Sequence, residues 1–259
     1  MNIKHLNGYE RELKALQLEE QEKQAKILEE AERKRQEKIP KLTEEGRQNI
    51  SSIYKSETKR AFLTFDDGPS SVTPKILEIL ERENIKATFF LLGSRVEEMP
   101  EMTKTIYEKG HFIASHGYSH IYSQIYSSPE AVLNEYNQSM EIIRNTLGVP
   151  EYNAHLFRFP GGLVGGKYAE IKSQAKELLS QNDVLCVDWN ALNGDAETNN
   201  LSTEFELARL QETVGSRQSV VILMHDAPAK SITAETLPYI ISYLREQGYE
   251  FKSFYDIIK

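Results

Sequence analysis

Beyond Lys59 the chain alternates short apolar runs with amphipathic stretches, the pattern of repeated β/α units. Seven runs stand out: Ala61 to Phe65, Ala87 to Leu92, His111 to Ser115, His155 to Phe159, Val184 to Trp189, Ser219 to Met224 and Tyr249 to Phe254. The helices between them carry start and stop signals. Thr73 followed by Pro74 opens one, and Ser128 followed by Pro129 opens another that Gly148 closes. Within the latter, Val132, Leu133, Tyr136, Met140, Ile143 and Leu147 form one apolar stripe that predicts a face packed on a sheet. Ser202 or Thr203 caps a third helix. Seven β/α units in about 200 residues suit an α/β fold of the (β/α) barrel type better than a two-sided open sheet, a choice that periodicity alone does not make.

The region before Lys59 follows a different rule. From Tyr9 to Gln36 it is dominated by Glu, Lys, Gln, Arg, Ala and Leu without Gly or Pro, a helix-forming composition that Pro40 ends. Leu6, Tyr9, Leu13 and Leu16 have coiled-coil spacing, but Glu20 and Lys23 occupy the next seam positions. A solvated helical stalk is therefore expected rather than a partner-binding coiled coil. Ile50 to Lys59 reads as a linker, which divides the chain into a stalk and linker at 1–58 and a catalytic domain at 59–259.

Composition narrows the partners. Asp and Glu outnumber Lys and Arg by 39 to 31 in the 259 residues, a formal net charge of −8, which opposes a nucleic-acid partner held through phosphates. The single cysteine, Cys186, has no disulfide partner and excludes a cysteine-cluster metal site. No run approaches the ~18 apolar residues of a membrane span, and the N-terminus lacks the apolar core of a signal peptide. Two expectations follow: an intracellular protein, or a sequence that starts after an export or anchor segment.

The chemistry-bearing residues collect at the ends of the apolar runs, where barrel enzymes place their active sites. Thr64-Phe65-Asp66-Asp67-Gly68-Pro69 puts two carboxylates side by side after a strand, although Asp-Gly-Pro is also a common turn. His116-Gly117-Tyr118-Ser119-His120 spaces two imidazoles so that both can reach one cation, and a carboxylate would complete a two-histidine, one-acid set with positions open for water. His5, His111 and His155 lack such surroundings and read as surface or satisfied core residues. Arg158-Phe159-Pro160-Gly161-Gly162 is a strand-end turn able to hold an arginine over the acids and offer backbone N–H groups to an anion. Ile222-Leu223-Met224-His225-Asp226 ends a buried strand on a histidine that can shuttle a proton.

In this order the motifs resemble the polysaccharide deacetylases of carbohydrate esterase family four, the NodB homology domain; TFDDGP stands unaltered, and the likeness runs from about Arg60 to Lys259. The resemblance implies a distorted seven-stranded (β/α) barrel with an N-terminal helical extension. It also implies a divalent metal, most often zinc, with cobalt, nickel or manganese as substitutes. Carried over by position, Asp67, His116 and His120 are the metal ligands and Asp66 the general base, oriented by Arg158. Gly161 supplies an oxyanion-hole amide, Leu223 lines the acetyl pocket, and Trp189 belongs to the substrate-contacting set. His225 is the general acid, tuned by Asp195, with Asp188 the competing choice.

Three positions depart from the family pattern: Gly117 replaces a Ser or Thr, Gly161 a frequent aromatic residue, and Ala196 a Trp. None removes a catalytic side chain. The implied activity is removal of N-acetyl groups from a polysaccharide, first of all the N-acetylglucosamine of peptidoglycan. The alternatives are an O-acetyl esterase acting on xylan or another acetylated glycan, and a catalytically silent carbohydrate-binding domain. The implied location is extracellular or at the cell surface, tethered by a membrane anchor upstream of this sequence.

Overall fold

The computed structural model describes residues 3–258. In chain order the elements are α1 (Ile3–Glu37), α2 (Glu44–Ser51), β1 (Arg60–Asp66), α3 (Thr73–Arg82), β2 (Thr88–Leu91), α4 (Gly93–Glu98), α5 (Pro100–Glu108) and β3 (Phe112–Ser115). There follow α6 (Tyr122–Ile125), α7 (Pro129–Leu147), β4 (Leu156–Phe157), α8 (Ala169–Gln181), β5 (Leu185–Cys186) and β6 (Ala191–Leu192). The last are α9 (Thr203–Val214), β7 (Ser219–His225), α10 (Ser231–Glu246) and β8 (Glu250–Lys252). The chain divides after Ile39 into a helical unit and a second unit that starts at Pro40.

The strands pair in parallel in the order β5-β4-β3-β2-β1-β7-β6, with β8 set against β1 beside the early residues of that strand. This is the distorted (β/α) barrel that the sequence predicts. Each of the seven apolar runs contributes a strand, while β6 arises from Ala191–Leu192, which the pattern of apolar runs does not reveal. The distortion is a gap: β5 and β6 end the order without pairing to each other. Val187 to Asn190 crosses that gap, with Val187 N–H donating to Phe157 C=O and Asn190 N–H to Val221 C=O at 3.1 Å each; Asn190 adds side-chain bonds, its Nδ2 donating to Ser219 C=O at 2.8 Å and its Oδ1 accepting from Val221 N–H at 2.8 Å.

β1 is the central strand. Ala61 to Asp66 are all buried, as expected of a strand covered on both faces, and its Phe65 stacks on Phe89 of β2 at 5.1 Å. Helix ends follow the sequence signals. Ser128 Oγ accepts from Ala131 N–H at 3.2 Å to cap α7, Gly148 closes it in the left-handed conformation at φ 63°, and Ser202 rather than Thr203 caps α9. In the α7 stripe Val132, Tyr136, Met140 and Ile143 are buried.

The segment read as a linker is docked instead. Thr43 caps α2 through Gly46 N–H, and Ile50 and Ile53 are buried with 6% and 1% exposure. Asn49 Nδ2 donates to Ile257 C=O at 3.1 Å, and Arg60 Nη2 donates to Ile53 C=O at 3.2 Å. A short polar-looking helix with Ile50 as its one large apolar residue, followed by Ile53 in the turn beyond it, does not announce such packing, because no apolar stripe can be read from it.

Candidate active site and metal centre

The proposed residues converge at the C-terminal ends of β1, β3, β4 and β7. Asp66 closes β1 directly beside His225, its register partner on β7. Asp67 then adopts the left-handed backbone conformation at φ 74°, which breaks strand alternation. Both carboxylates consequently face His116, whose Nε2 lies 3.5 Å from Asp67 Oδ1 and 3.9 Å from Asp66 Oδ2.

Asp67, His116 and His120 offer ligand atoms that all lie within 4.8 Å of one another. The donor set fits a divalent cation on two observations. Asp67 Oδ1 is buried without a hydrogen-bond partner, yet stands 3.5 Å from each of His116 Nε2 and His120 Nε2. His116 Nδ1 lies 2.8 Å from the Arg158 carbonyl, which assigns it the proton and leaves the Nε2 lone pair aimed at Asp67. Burial, with the positive surroundings, pushes the His116 imidazole down to about 3, so it stays neutral as a ligand must.

The loop that carries the histidines is fastened by Glu135 of α7. Its carboxylate accepts from Tyr118 N–H at 2.5 Å, Ser119 N–H at 2.8 Å and Ser119 Oγ at 2.6 Å. Gly117 adopts φ 87° there, and a side chain at that position would press on Glu135 and Ile125. This gives the glycine in place of Ser or Thr a structural reason.

Arg158 is fully buried and engages four of its five N–H donors. Nη1 donates to Asp66 Oδ1 at 2.8 Å and Thr64 Oγ1 at 2.7 Å, while Nε and Nη2 hold the carbonyls of Val187 and Asp188 at 3.1 Å each. Burial pushes the Asp66 carboxyl above its ordinary range, and the charges of Arg158 and His225 only partly offset this. A raised carboxylate is the better proton acceptor.

His225 Nδ1 lies 2.6 Å from Asp195 Oδ1, and Asp195 Oδ2 accepts from His225 N–H at 2.8 Å and Thr233 Oγ1 at 2.9 Å. Asp188 is engaged elsewhere: both its oxygens accept from Leu163 N–H, at 3.1 and 3.0 Å. Of the two acids, Asp195 is thus the one that touches His225. Burial alone would lower the imidazole, but the hydrogen bond and charge of Asp195, with Asp66 and Asp67, raise it to about 9. Leu223, two residues earlier on β7, shares the strand face of His225.

The Pro160–Leu163 turn is clamped from several sides. Tyr126 Oη donates to Pro160 C=O at 2.6 Å, Lys172 Nζ donates to Gly162 C=O at 2.6 Å, and Trp189 packs against Gly162. Gly161 sits at φ 72°, and its N–H donates no hydrogen bond among the described residues. Asp226 fixes the neighbouring turn by accepting from Thr73 Oγ1 at 2.7 Å and Ser70 Oγ at 3.4 Å.

Glu135, Lys172, Tyr126 and Asp226 were not singled out from the sequence; only Asp226, beside His225, had a local cue. The other histidines stay outside the site. His111 is buried and accepts from Ala87 N–H at 3.1 Å through Nδ1, but its Nε2 has no partner, so it is only half satisfied. His155 lies near the surface with Nδ1 2.9 Å from Asp183 C=O, and the side chain of His5 is outside the described residues. Cys186 is partly exposed, free of any disulfide among the described residues, and burial pushes its thiol up to about 12.

Comparison with known proteins places this geometry in context. A family model described as polysaccharide deacetylase matches residues 54–178. A peptidoglycan-N-acetylglucosamine deacetylase of Bacillus cereus is 32% identical over 77% of this chain and 71% of its own length. The chain spans only 40% of a Listeria monocytogenes peptidoglycan-N-acetylglucosamine deacetylase that is 34% identical over 78% of this chain. Among solved structures, a Streptococcus mutans CE4 esterase superposes with a TM-score of 0.72 at 29% identity, covering 80% of this chain and 90% of that one. The catalytic domain of a Eubacterium rectale peptidoglycan N-acetylglucosamine deacetylase does so with a TM-score of 0.70 at 32% identity, covering 77% and 90%.

Proposed function

Because the chain belongs to the polysaccharide deacetylase family, we propose that it removes N-acetyl groups from N-acetylglucosamine units of peptidoglycan, releasing acetate and a free amino sugar. The observation that carries this reading is the orphaned Asp67 Oδ1 facing two imidazole nitrogens, with Asp66 and the His225–Asp195 pair at the adjoining strand ends.

Asp67, His116 and His120 would hold the metal, zinc first among the candidates. When bound, a divalent cation supplies Lewis acidity that polarises the acetyl carbonyl and acidifies a water. Asp66 accepts the proton of the attacking water, with one oxygen fixed by Arg158 and the other left free of hydrogen bonds among the described residues. The Gly161 N–H meets the negative charge that develops on the acetyl oxygen. His225 is protonated at neutral pH and, with Nδ1 engaged by Asp195, presents its Nε2 proton to the departing nitrogen. That proton is required because an amine anion is too basic to leave. Leu223 and Trp189 serve the acetyl and sugar sides of the cleft.

Peptidoglycan is favoured by the names of the relatives and by the charged helix α1, a suitable spacer for work at a cell wall. We place the protein outside the cell or at its surface; among the described residues no helix is long and apolar enough to cross a membrane. Acetate and primary-amine release on a panel of peptidoglycan, chitin oligomers and acetylated xylan tests the reading. Acetate without new amines would replace it with an O-acetyl esterase, and glycan binding without acetate with a silent binding domain.

A further inference from the structure

Gly161 carries no side chain where the family frequently has an aromatic one, yet the space in front of it is filled. A Cβ placed on Gly161 would collide with Tyr122 Oη and come within 3.2 Å of Tyr122 Cζ. By ordinary backbone dimensions the phenolic oxygen therefore lies within about 5 Å of the Gly161 amide nitrogen. The ring is held on both sides. It stands 5.5 Å from the His120 imidazole, and it meets Tyr126 edge to face at 5.6 Å, the same Tyr126 whose hydroxyl secures Pro160. Tyr122 is 40% exposed, and its O–H finds no hydrogen-bond partner among the described residues.

An uncommitted O–H donor thus borders the space between the histidine-aspartate triad and the free Gly161 N–H. We propose that Tyr122 is a further catalytic residue, donating a hydrogen bond from Oη to the acetyl oxygen alongside Gly161 N–H. The assignment rests on the acetyl-hydrolase reading above. A neutral O–H donor strengthens its bond as its acceptor becomes anionic, so its contribution grows from ground state to transition state. Gly161 and Tyr122 act as a pair: any side chain at 161 would both strain a backbone at φ 72° and evict the phenol.

Tyr122→Phe tests the proposal, since it removes one oxygen that no described residue needs. With 4-nitrophenyl acetate and with an N-acetylglucosamine oligomer, kcat is expected to fall roughly 10-fold or more while KM changes less than about 2-fold. Zinc content and melting temperature should match the unaltered protein. Acetate affinity of the zinc-loaded protein, measured by titration calorimetry, should weaken about 5-fold or more, because a donor to a charged oxygen is lost. An unchanged kcat together with unchanged acetate affinity overturns the assignment. So does a rise in KM on the oligomer alone, which would move the phenol to the sugar. A parent protein that cleaves the ester but not the oligomer refutes the substrate reading instead, and the ester rates and acetate affinity still decide the role of Tyr122.

Discussion

Asp195→Asn isolates the tuning of the general acid. In the folded protein His225 is raised from its ordinary value of 6.5 to about 9, and burial works against that rise, so the increase comes from the carboxylates. Asp195 supplies the largest share through a 2.6 Å contact to Nδ1. Without its charge, burial should bring the imidazole to or below its ordinary value. At pH 7.5 the protonated fraction then falls from about 97% to below about 10%, a loss of roughly 10-fold in amide hydrolysis at that pH. The loss should be recovered as pH is lowered toward 6, because the remaining imidazolium is the competent form. A pH–rate profile of acetate release from an N-acetylglucosamine oligomer is the assay. The alkaline limb should move from about 9 in the parent to 6.5 or below in the variant. An activated aryl acetate, whose leaving group needs no proton, should show a much smaller change. The same pair also acts on stability. Its folded pKa is raised, so its contribution is complete below pH 6.5 and disappears as pH rises through about 9. The variant should therefore lose melting temperature at pH 6 and little at pH 10. An alkaline limb that stays near 9 in Asp195→Asn would refute the reasoning and point to Asp66 and Asp67 as the source of the shift.

Asp66→Asn should retain bound metal while lowering turnover by roughly 10²-fold or more on both amide and aryl ester, checked by elemental analysis and initial rates. His116→Ala with His120→Ala should abolish stoichiometric divalent binding; an active double variant would show the triad to be misassigned. Glu135→Ala should weaken metal affinity roughly 10- to 100-fold in a chelator competition, because three hydrogen bonds that fix the His120 loop are lost. A chain trimmed to begin at Pro40 should melt like the full chain. One trimmed to begin at Arg60 should lose about 3 to 5 kcal/mol through removal of Ile50 and Ile53 from the core, read by circular dichroism against temperature.

The barrel was legible because β1, β2, β3 and β7 are each built around an apolar run, and because Pro74, Ser128, Gly148 and Ser202 sit at helix ends where backbone chemistry requires them. β6 was not, since two residues cannot establish a period, and its pairing depends on β7 being alongside. The same limit hid the docking of α2 and the turn after it: Ile50, in the helix, and Ile53, beyond it, are placed only once β1 and β7 supply Arg60 and Ser219 as hydrogen-bond partners for Ile53 C=O.

The active site divides along similar lines. The side chains proposed to act on substrate or metal sit at strand ends in short motifs, so Asp66, Asp67, His116, His120 and His225 can be found from spacing and resemblance, as can Arg158, which holds Asp66 from the end of β4. Further groups that hold the site's loops come from elsewhere. Glu135 reaches the His120 loop from the middle of α7, and Lys172 reaches Gly162 from α8. Each is an ordinary helix residue by sequence, and its role depends on how that helix crosses the barrel. Gly161 shows the consequence most directly. From the sequence alone it is a missing aromatic side chain, a departure that puts the cleft's shape in doubt. With Tyr122 in the same space, the departure becomes a substitution between elements: the aromatic ring enters from the start of α6 rather than from the end of β4, and its hydroxyl fills the place that a side chain at 161 would take. Motif comparison counts residues along one strand end at a time and cannot register such an exchange, whereas packing does so at once, because only one of the two side chains fits.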